Sequence, residues 1–433
     1  MKRIFPAYTY GPGPRAGCWW DETVPAPDWP VHEGDLSVDV AIVGGGFTGM
    51  SAALHLAQQG VSVALFEAET PGWGASGRNG GFCCKGGSKL GHAALARRYG
   101  PAAAEAYAQA EADAVALVAG LLASHGIQAD VHSQGETQLA HTPRAMEALR
   151  RGVGPDGILH ETHDLPGLGL GGRFFGGYTD PVGFALNPRK YLFGLAKAAQ
   201  AQGACLFQRS PVQDVRRTGS GFALALPRGS VRSEAVLICT NGYSSEDMPG
   251  WLSGRYMPAQ STVMVTRPLS EAELQAQGWT SRQMAFDTRN LLHYFRLMPD
   301  NRFLFGMRGG LMSSPRAERA IRRKVARDFA RMFPAWAGVE ATHLWSGMVC
   351  LARDLVPFAG PVPDRPGMFA GLAYHGNGVA MGTLCGRALA QLVLGQDANI
   401  PGPIAHPPGR FPLGRWRRLL MPPAYAAMAL ADL

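Results

Sequence analysis

A glycine-rich turn near the start of the chain constrains its folding more than any other segment. The turn carries Gly44, Gly46 and Gly49, and it separates the apolar run 38–43 from an Ala/Leu-rich segment and a second apolar run, 61–66. Gly44 lets a strand turn sharply into a helix, Gly46 lets the backbone approach a pyrophosphate, and Gly49 lets helix and strand pack closely. The pattern predicts a strand, helix and strand unit that binds a dinucleotide.

The acid that ends the second apolar run, Glu67, narrows the choice of dinucleotide. Its carboxylate can accept hydrogen bonds from a ribose diol, while the helix N-terminus offers free N–H groups to the diphosphate. The same carboxylate would repel a 2′-phosphate, which disfavours NADP. A G-x-G-x-x-G match alone is weak and also fits an α/β layer that binds nothing. Here strand, helix, strand and acid stand at the expected spacing, which favours binding.

A second glycine-rich loop, residues 72–81 (GWGASGRNGG), directly follows the ribose acid. The backbone of such a loop can run along the far half of a long, extended dinucleotide. This sequel favours FAD over NAD.

A third segment near the C-terminal end, residues 371–379 (GLAYHGNGV), leads into the Ala/Leu-rich stretch 380–394. A helix that begins there would direct N–H groups and a positive dipole end towards flavin, which carries negative charge when reduced. An ordinary core helix started by glycine is the alternative for this segment alone. Together with the first glycine-rich turn, the segment favours a flavin site.

Five motifs stand along the chain in a set order: VGGGFTG at Val43, GWGASGRNGG at Gly72, LLHYFRLMPDNRFLFG at Leu291, WSG at Trp345 and YHGNGV at Tyr374. In order and spacing they resemble the glycine oxidase/D-amino acid oxidase family of FAD-dependent amine oxidoreductases, and within it the gamma-glutamylputrescine oxidase branch. The resemblance extends over nearly the whole chain. Its motifs are specific near both ends and looser in the middle, where the substrate pocket is usually built.

The resemblance implies an α/β fold in which a Rossmann-type FAD-binding domain interlocks with an α+β substrate domain built on a mixed or antiparallel sheet. A chain of 433 residues also exceeds the usual size of a single compact core. We expect an N-terminal arm over 1–35, an FAD-binding domain in the pieces 36–90, 186–245 and 343–400, a substrate domain in 91–185 and 246–342, and a C-terminal tail over 401–433.

The predicted cofactor is FAD, bound non-covalently. Its predicted partners lie in the three glycine-rich segments, in the apolar strand and turn 235–242, and in one loop between them. They are Gly44, Gly46, Thr48, Gly49, Glu67, Ala68, Gly74, Ala75, Ser76, Arg78, Asn79, Gly80, Val212, Thr240, Asn241, Gly242, Gly376, Asn377, Gly378 and Val379.

The chemistry implied by the family is removal of a hydride from the carbon next to an amine. The hydride passes to flavin N5, the imine hydrolyses, and the flavin is reoxidised by dioxygen, which yields hydrogen peroxide, or by another acceptor. No strong base is needed if the amine arrives neutral, so the protein's tasks are orientation, desolvation and electrostatics. The candidate catalytic residues are Tyr294, Arg296, Trp345 and His375, and Arg308 is a further pocket candidate.

Each catalytic candidate also has a structural interpretation. Tyr294 and Arg296 are two apart on a predicted strand, so both could face a substrate carboxylate, but a strand arginine is often paired or partly solvated instead. Trp345 could form a wall against the flavin ring or fill the core. His375 could touch the amine or the flavin, or act only through a neighbouring residue.

Two positions depart from relatives in the family. Asn377 stands where the gamma-glutamylputrescine oxidase branch typically has His, which removes a titratable group and puts the exact substrate in doubt. Sarcosine oxidases of the wider family attach flavin through a cysteine near this C-terminal segment. Trp345 falls at that place here and Cys350 is offset by several residues, so the chain predicts no covalent bond.

Charge and cysteine content exclude several classes of partner. The net charge of +8 could indicate nucleic acid, but much of the excess lies in 316–331, where an apolar stripe predicts an amphipathic helix with a solvated basic face. An acidic partner or a membrane surface is the alternative for that helix. The seven cysteines form neither CxxC pairs nor Cys/His clusters, so we expect reduced thiols, no metal site and a cytoplasmic protein.

No secretory signal and no apolar run of about 18 residues is present, so we expect no transmembrane helix.

Three functions remain open. The first is an oxidase of a primary or secondary amine, with a carboxylate or gamma-glutamyl group on the substrate. The second is a dehydrogenase of D-amino or N-methyl amino acids that uses a quinone or protein acceptor, and the third is a non-catalytic flavin-binding subunit. The sequence leaves the oligomeric state open.

Overall fold

The computed structural model describes residues 2–154 and 156–432. Its strands are β1 (Gly34–Val43), β2 (Val63–Phe66), β3 (Phe82–Cys84), β4 (Glu136–Leu139), β5 (Ile158–His160), β6 (Gly177–Asp180), β7 (Gly183–Ala185), β8 (Cys205–Phe207), β9 (Asp214–Arg217), β10 (Phe222–Leu226), β11 (Gly229–Ile238), β12 (Met257–Pro268), β13 (Met284–Asp287), β14 (His293–Leu297), β15 (Arg302–Arg308), β16 (Ala341–Leu351), β17 (Phe358–Pro361) and β18 (Met368–Leu372). Its α-helices are α1 (Trp20–Thr23), α2 (Phe47–Ala57), α3 (His92–Tyr99), α4 (Pro101–Ser124), α5 (Pro143–Gly152), α6 (Pro188–Ala201), α7 (Glu271–Gln277), α8 (Pro315–Met332), α9 (Ala380–Val393), α10 (Gly402–Ala405) and α11 (Met421–Ala431).

The first sheet has the strand order β17-β18-β11-β1-β2-β8, with β10 and β9 attached beside β11. β1 runs parallel to β2 and β11, and β18 runs parallel to β11. The last four residues of β1, 40–43, are all buried, as expected for a central parallel strand covered on both faces. Because these strands are parallel, their carboxyl ends meet at one edge of the sheet, where ligands of open α/β sheets bind.

The second sheet has the order β16-β12-β15-β14-β13-β4-β6-β5. It is mixed, because β13 pairs in parallel with β4 while β12, β14 and β15 pair antiparallel. An aromatic cluster that includes Phe295, Phe303 and Phe333 joins this sheet to α8. The predicted Rossmann-type layer and mixed-sheet layer are both confirmed.

Helix α8 has the amphipathic character predicted for residues 316–331. Val325 and Phe329 are buried against the aromatic cluster, while Arg316, Arg323 and Arg327 are exposed. The basic face of the helix is therefore directed away from the core.

Two predicted domain boundaries differ from the observed packing. The predicted FAD-binding pieces include residues 343–351, but these residues lie in β16, which pairs with β12 in the second sheet. The predicted substrate domain includes helix α4, but this helix packs on α9 in the core of the first sheet. In both cases non-local pairing decides the layer, and a local apolar pattern does not report it.

Helix α4 is long and apolar enough, by length and composition, to cross a membrane. In the described residues it is the only such helix, and it carries a buried face that includes Tyr107, Val118 and Leu121. A core helix of this composition passes the same test.

The part of the N-terminal arm that precedes β1, residues 2–33, packs across the body. Arg15 donates to the carbonyl oxygens of Gly72 and Trp73, and the Trp20 indole N–H donates to Asn79 O at 2.8 Å. The arm thus lies directly against the second glycine-rich loop.

Candidate active site

The first glycine-rich turn has the geometry that its sequence predicts. Gly44 has φ of +107°, a left-handed conformation that favours glycine, and an added Cβ would lie 2.8 Å from Cys239 O. At Gly49 an added Cβ would lie 2.1 Å from Gly44 O, so helix α2 can approach the strand only with glycine there. At Gly46 the added Cβ would lie 2.9 Å from Ser76 Oγ, which belongs to the second glycine-rich loop. The first turn and the second loop are therefore in close contact.

Glu67 lies at the carboxyl end of β2 and faces this turn. Its Oε2 accepts a hydrogen bond from Gly45 N–H and its Oε1 accepts one from Glu69 N–H, each at 2.9 Å. Burial raises the pKa of the Glu67 carboxyl, and these backbone hydrogen bonds oppose the shift. The carboxyl is thereby held in one orientation at the edge of a cavity.

The second loop, residues 72–81, is folded tightly on itself. Ser76 Oγ accepts a hydrogen bond from Phe47 N–H at 3.0 Å at the start of α2. Asn79 stabilises the loop from within, because its Nδ2 donates to Ala75 O and Ser76 O and its Oδ1 accepts from Gly81 N–H. Arg78 is buried, donates to Ser346 O at 3.1 Å, and lies 4.5 Å from the centre of the Trp73 ring. One of its terminal nitrogens has no partner among the described residues.

The third segment is hydrogen-bonded to the start of α2 and to the turn that follows β11. The Tyr374 and Thr48 hydroxyls are 2.7 Å apart, and Asn241 Oδ1 accepts from Ala373 N–H at 2.9 Å. Gly378 and Val379 precede α9 at the same edge of the sheet. The helix N-terminus therefore points at the space between the three segments.

That space is a cavity of about 1420 Å³ of non-protein volume, including its open mouth. Its lining includes residues of all three glycine-rich segments, so the cavity follows the extended path that a dinucleotide needs. Fifteen of the twenty predicted cofactor residues line it: Gly44, Gly46, Thr48, Glu67, Ala68, Gly74, Ala75, Ser76, Asn79, Val212, Thr240, Asn241, Gly376, Gly378 and Val379. We call it the dinucleotide cavity.

The remaining five predicted residues lie elsewhere. Arg78, Gly80 and Asn377 line a second cavity, whereas Gly49 and Gly242 line neither. Gly49 serves the packing of α2, and Gly242 packs closely on Met348. Neither of these two glycines is placed to contact a ligand in the cavities.

The second cavity, of about 1100 Å³, opens between the two sheets. It shares five lining residues with the dinucleotide cavity: Ala75, Asn79, Met348, Val349 and Gly376. The two cavities therefore meet. We call the second one the substrate-side cavity.

The substrate-side cavity contains four basic side chains and one acid: Arg78, Lys85, Lys89, Arg308 and Glu136. Lys85 is paired with Asp180 at 2.5 Å, and Arg308 donates to His375 O at 2.6 Å. Burial lowers the pKa of Arg308. Desolvation by the surrounding protein and the charge of Arg308 lower the pKa of Lys89 to about 7, although the residue is partly exposed to solvent. Burial raises the pKa of Glu136 to about 7.

The Tyr294 side chain forms part of the wall of the substrate-side cavity. Its hydroxyl is 3.2 Å from Ser261 Oγ, and its ring covers Gly80 and Gly306, where an added Cβ would overlap it. Burial raises the pKa of the phenol, so it remains protonated. Glycine at these two positions is what allows the ring to lie flat beside the second loop.

The predicted carboxylate contact of Arg296 is wrong for this geometry. Arg296 lines neither cavity: it lies 2.9 Å from His132 Nε2 and donates to Leu186 O at 2.8 Å. Burial lowers its pKa to about 9. Tyr294 and Arg296 share a strand face, and the second loop covers it, with Gly80 against the Tyr294 ring and Gly81 against the Arg296 guanidinium.

Trp345 and His375 also differ from their predicted catalytic roles. Trp345 is fully buried, lines neither cavity and donates its indole N–H to Arg78 O at 2.7 Å. His375 lines the dinucleotide cavity, but its Nδ1 lies 2.6 Å from Gly87 O and its Nε2 accepts from Ala352 N–H. Burial lowers the pKa of His375 to about 3, so the ring is neutral and both its nitrogens are engaged. Both ring nitrogens are therefore occupied by backbone groups and neither is free to contact a ligand.

Several residues that line the cavities lie outside the predicted set. In the dinucleotide cavity they include Arg3, Tyr10 and Tyr243, and in the substrate-side cavity they include Lys89 and Glu136. Tyr243 follows the predicted turn at Asn241 and could have been found by extending it. The others have no local signal, because tertiary packing brings them in from the arm, from the loop after β3 and from the second sheet.

The chain matches the family model described as "DAO: FAD dependent oxidoreductase" over residues 39–392. This range covers most of the chain, and the chain belongs to that family of FAD-dependent oxidoreductases. FAD is its cofactor, as predicted from the three glycine-rich segments.

Individual relatives agree with this assignment. The chain is 28% identical to the gamma-glutamylputrescine oxidoreductase of Escherichia coli over 390 residues, which cover 89% of this chain and 90% of that protein. It is 29% identical over 393 residues to the "Probable oxidoreductase OrdL" of Rhizobium meliloti, covering 88% and 89% of the two chains. The crystal structure of glycine oxidase from Geobacillus kaustophilus has the same fold, with a TM-score of 0.69, 24% identity and coverage of 84% and 96%.

The residues of the dinucleotide cavity fit FAD. Glycines would leave room for the diphosphate, Glu67 would offer acceptors to the ribose, and the N-termini of α2 and α9 would offer partial positive charge. The thiols on its wall are inert, because burial raises the pKa of both Cys239 and Cys350 to about 12. Among residues 2–154 and 156–432, no group of three or more His, Cys, Asp or Glu side chains could hold a metal.

Proposed function

We propose that this protein oxidises the C–N bond of an amine that carries a carboxylate, a class that includes gamma-glutamyl amines. The bound flavin would accept the hydride, and water would hydrolyse the resulting imine. Dioxygen is the proposed acceptor, with hydrogen peroxide as the second product, and the reduced thiols suit a cytoplasmic enzyme.

The meeting of the two cavities is the observation that carries this proposal. A ring system at the junction would lie among Ala75, Val349 and Gly376, with the substrate-side cavity open on one side. A substrate in that cavity could place its reacting carbon next to the ring without leaving the protein.

The charges of the substrate-side cavity support a substrate with a carboxylate. Arg308 and Lys89 have no carboxylate within 4 Å among the described residues, so both are available to an anionic group. Glu136 is the one acid on the wall and could accept a hydrogen bond from a substrate ammonium group. Tyr294 and Phe286 add apolar surface for a connecting chain.

The test is an anaerobic titration of the holoenzyme with a panel of polyamines, gamma-glutamyl amines, sarcosine-like amines and D-amino acids. Bleaching of the flavin absorption by carboxylate-bearing amines, and weaker bleaching by their amides, is the expected result. Arg308→Gln should raise KM for the carboxylate form about ten-fold or more and leave the amide unchanged. Arg323→Gln, on the exposed face of α8, is the matched control.

The aerobic reaction separates the alternatives. Peroxide released in proportion to amine consumed supports an oxidase. Flavin reduction by D-amino or N-methyl amino acids without peroxide would instead support a dehydrogenase with a quinone or protein acceptor. Flavin that no amine reduces would support a non-catalytic subunit.

A further inference from the structure

The wall of the dinucleotide cavity has few positively charged side chains. Its described lining includes the acids Glu67 and Glu69, and Arg3 is its only arginine or lysine. A dinucleotide brings a diphosphate with two negative charges, while a helix N-terminus supplies only partial charge. At the N-terminus of α2 the N–H group of Phe47 already donates to Ser76 Oγ, so it is not available to the diphosphate. Arg3 is therefore the candidate that could place a full positive charge opposite the diphosphate.

The N-terminal arm holds Arg3 at the cavity. Lys2 N–H donates to Asp247 Oδ1 at 2.8 Å, and Lys2 O accepts from Glu246 N–H at 2.7 Å. These bonds fasten the arm to the segment that follows Ser244 and Ser245, which both line the cavity. The start of the arm is thus part of the cavity wall.

The Tyr10 ring packs against the Arg3 side chain. The guanidinium carbon lies 4.3 Å from the centre of the Tyr10 ring, within the range of a cation–π contact. The Tyr10 ring in turn packs edge-on against Tyr243, with centroids 6.4 Å apart. Both tyrosines line the cavity, so the guanidinium is held beside it.

The Arg3 guanidinium has an unused donor. Its Nε is buried and has no hydrogen-bond partner among the described residues. A buried donor without a partner costs free energy that an anionic acceptor in the cavity would recover. The charge of Arg3 also acts on Glu69. Burial raises the pKa of the Glu69 carboxyl, and the positive charge of Arg3 opposes that shift.

We propose that the N-terminal arm forms the outer wall of the FAD site and that Arg3 binds the diphosphate of the cofactor. The dinucleotide is then enclosed between α2 on one side and the arm on the other. This role concerns the ADP half of FAD and is independent of which amine the protein oxidises.

The experiment measures ligand binding to the full-length apoprotein. FAD is titrated by flavin fluorescence, and ADP and adenosine are each measured as competitors. For Arg3→Gln we expect Kd for FAD and for ADP to rise about ten-fold or more, because a charge-assisted contact to phosphate is lost, while Kd for adenosine stays unchanged. Arg3→Lys, which keeps the charge, should show a smaller rise. Lys2→Gln is the matched control, since Lys2 is exposed and absent from the cavity wall.

Unchanged affinity of Arg3→Gln for FAD and ADP would overturn the proposal. An equal loss for ADP and adenosine would also overturn it, because it would assign Arg3 to the nucleoside or to the fold. Melting of the apoprotein shows whether Arg3→Gln is folded, and if it is not, the folded Arg3→Lys variant supplies the same ADP-against-adenosine comparison. All of these readouts hold even if no amine reduces the flavin, so failure of the proposed reaction would not be mistaken for failure of this proposal.

Discussion

Single residues in this protein have different roles according to which cavity they face. Glu67 and Glu136 are both half-buried acids with raised pKa values, but Glu67 accepts two backbone hydrogen bonds at the dinucleotide cavity. Glu136 lines the substrate-side cavity beside the Cys84 thiol and near Lys89. Each acid can be tested separately.

Glu67→Gln should weaken FAD binding while leaving the fold intact. The amide can still accept one backbone hydrogen bond, but the charge-assisted hydrogen bonds to the ribose are lost, at a cost on the order of 1.5–3 kcal/mol each. Titration of the apoprotein with FAD measures the change, and the exposed Glu271→Gln on α7 is the control. FAD affinity equal to that of the parent protein would mean that the carboxyl does not reach the ribose.

Glu136→Gln should change how stability depends on pH. In the folded protein the pKa of Glu136 is about 7, against an ordinary 4.5, so between these values the folded state holds a proton that the unfolded state releases. Stability from this group is therefore complete below pH 4.5 and falls as pH rises to about 7. The variant lacks this fall, so its melting temperature relative to the parent should rise across that window.

The exposed Glu340→Gln is the control for this comparison, because it lies away from both cavities. A parent-minus-variant difference that stays constant from pH 4.5 to 7 would contradict the raised pKa. Asp180, Lys89 and Cys84 influence the same carboxyl, so the difference between two otherwise identical proteins is the relevant quantity.

Arg296→Lys should destabilise the fold and leave substrate preference unchanged. A lysine cannot reproduce the hydrogen bond to Leu186 O and the contact with His132 together, and the loss is about 1–3 kcal/mol. Urea unfolding measures the first effect, and kcat/KM for an amine carboxylate and its amide measures the second. A selective loss for the carboxylate would return Arg296 to the substrate site.

At the scale of elements, the helices of the first sheet pack at distances so short that only glycine fits at the points of contact. Gly44 and Gly49 bring α2 onto the strand, and at Gly386 an added Cβ would lie 2.4 Å from Thr48 O, which keeps α9 close to α2. These three positions determine where both helix N-termini point. The flavin site therefore depends on helix packing as much as on the loops.

Gly49→Ala should destabilise the protein by about 1–3 kcal/mol or more, because its Cβ would lie 2.1 Å from a backbone oxygen that cannot rotate away. Gly120→Ala is the matched control: Gly120 is an exposed helical glycine in α4 with nothing within 4 Å of an added Cβ. That change should stabilise the protein by about 0.5–1 kcal/mol. Thermal unfolding of the two apoproteins checks the pair, and equal melting temperatures would refute the close contact.

At the scale of the whole molecule, two sheets and an arm enclose the cofactor and substrate spaces together. The arm contacts the second loop through Arg15 and Trp20, and β16 contributes Met348 and Val349 to both cavities. Neither cavity is complete within one stretch of the chain. Binding of FAD should therefore stabilise the assembled protein and not only one domain.

Acid precipitation should release the flavin. Trp345 occupies the place of the attachment cysteine of sarcosine oxidases, and burial keeps the Cys350 thiol protonated with a pKa of about 12, so no thiolate is available to form a bond. We expect a colourless pellet and a yellow supernatant after centrifugation. Yellow colour in the denatured pellet would contradict this and would make Cys350 the first residue to replace.

The sequence by itself was enough to predict the three cofactor segments and the family. The positions of Gly44, Gly49 and Glu67 follow from local geometry, since a turn, a close approach and a strand end each require particular residue types at short spacing. For the same reason the amphipathic α8 was predictable from its periodicity.

Only the tertiary structure decided which side chains face the substrate. Arg296 and Arg308 are both arginines on neighbouring strands, and nothing local distinguishes the one beside His132 from the one beside His375. Glu136 and Arg3 enter the cavities from distant parts of the chain. Long-range strand pairing and the path of the arm determine these positions, and a pattern of adjacent residues carries no information about either.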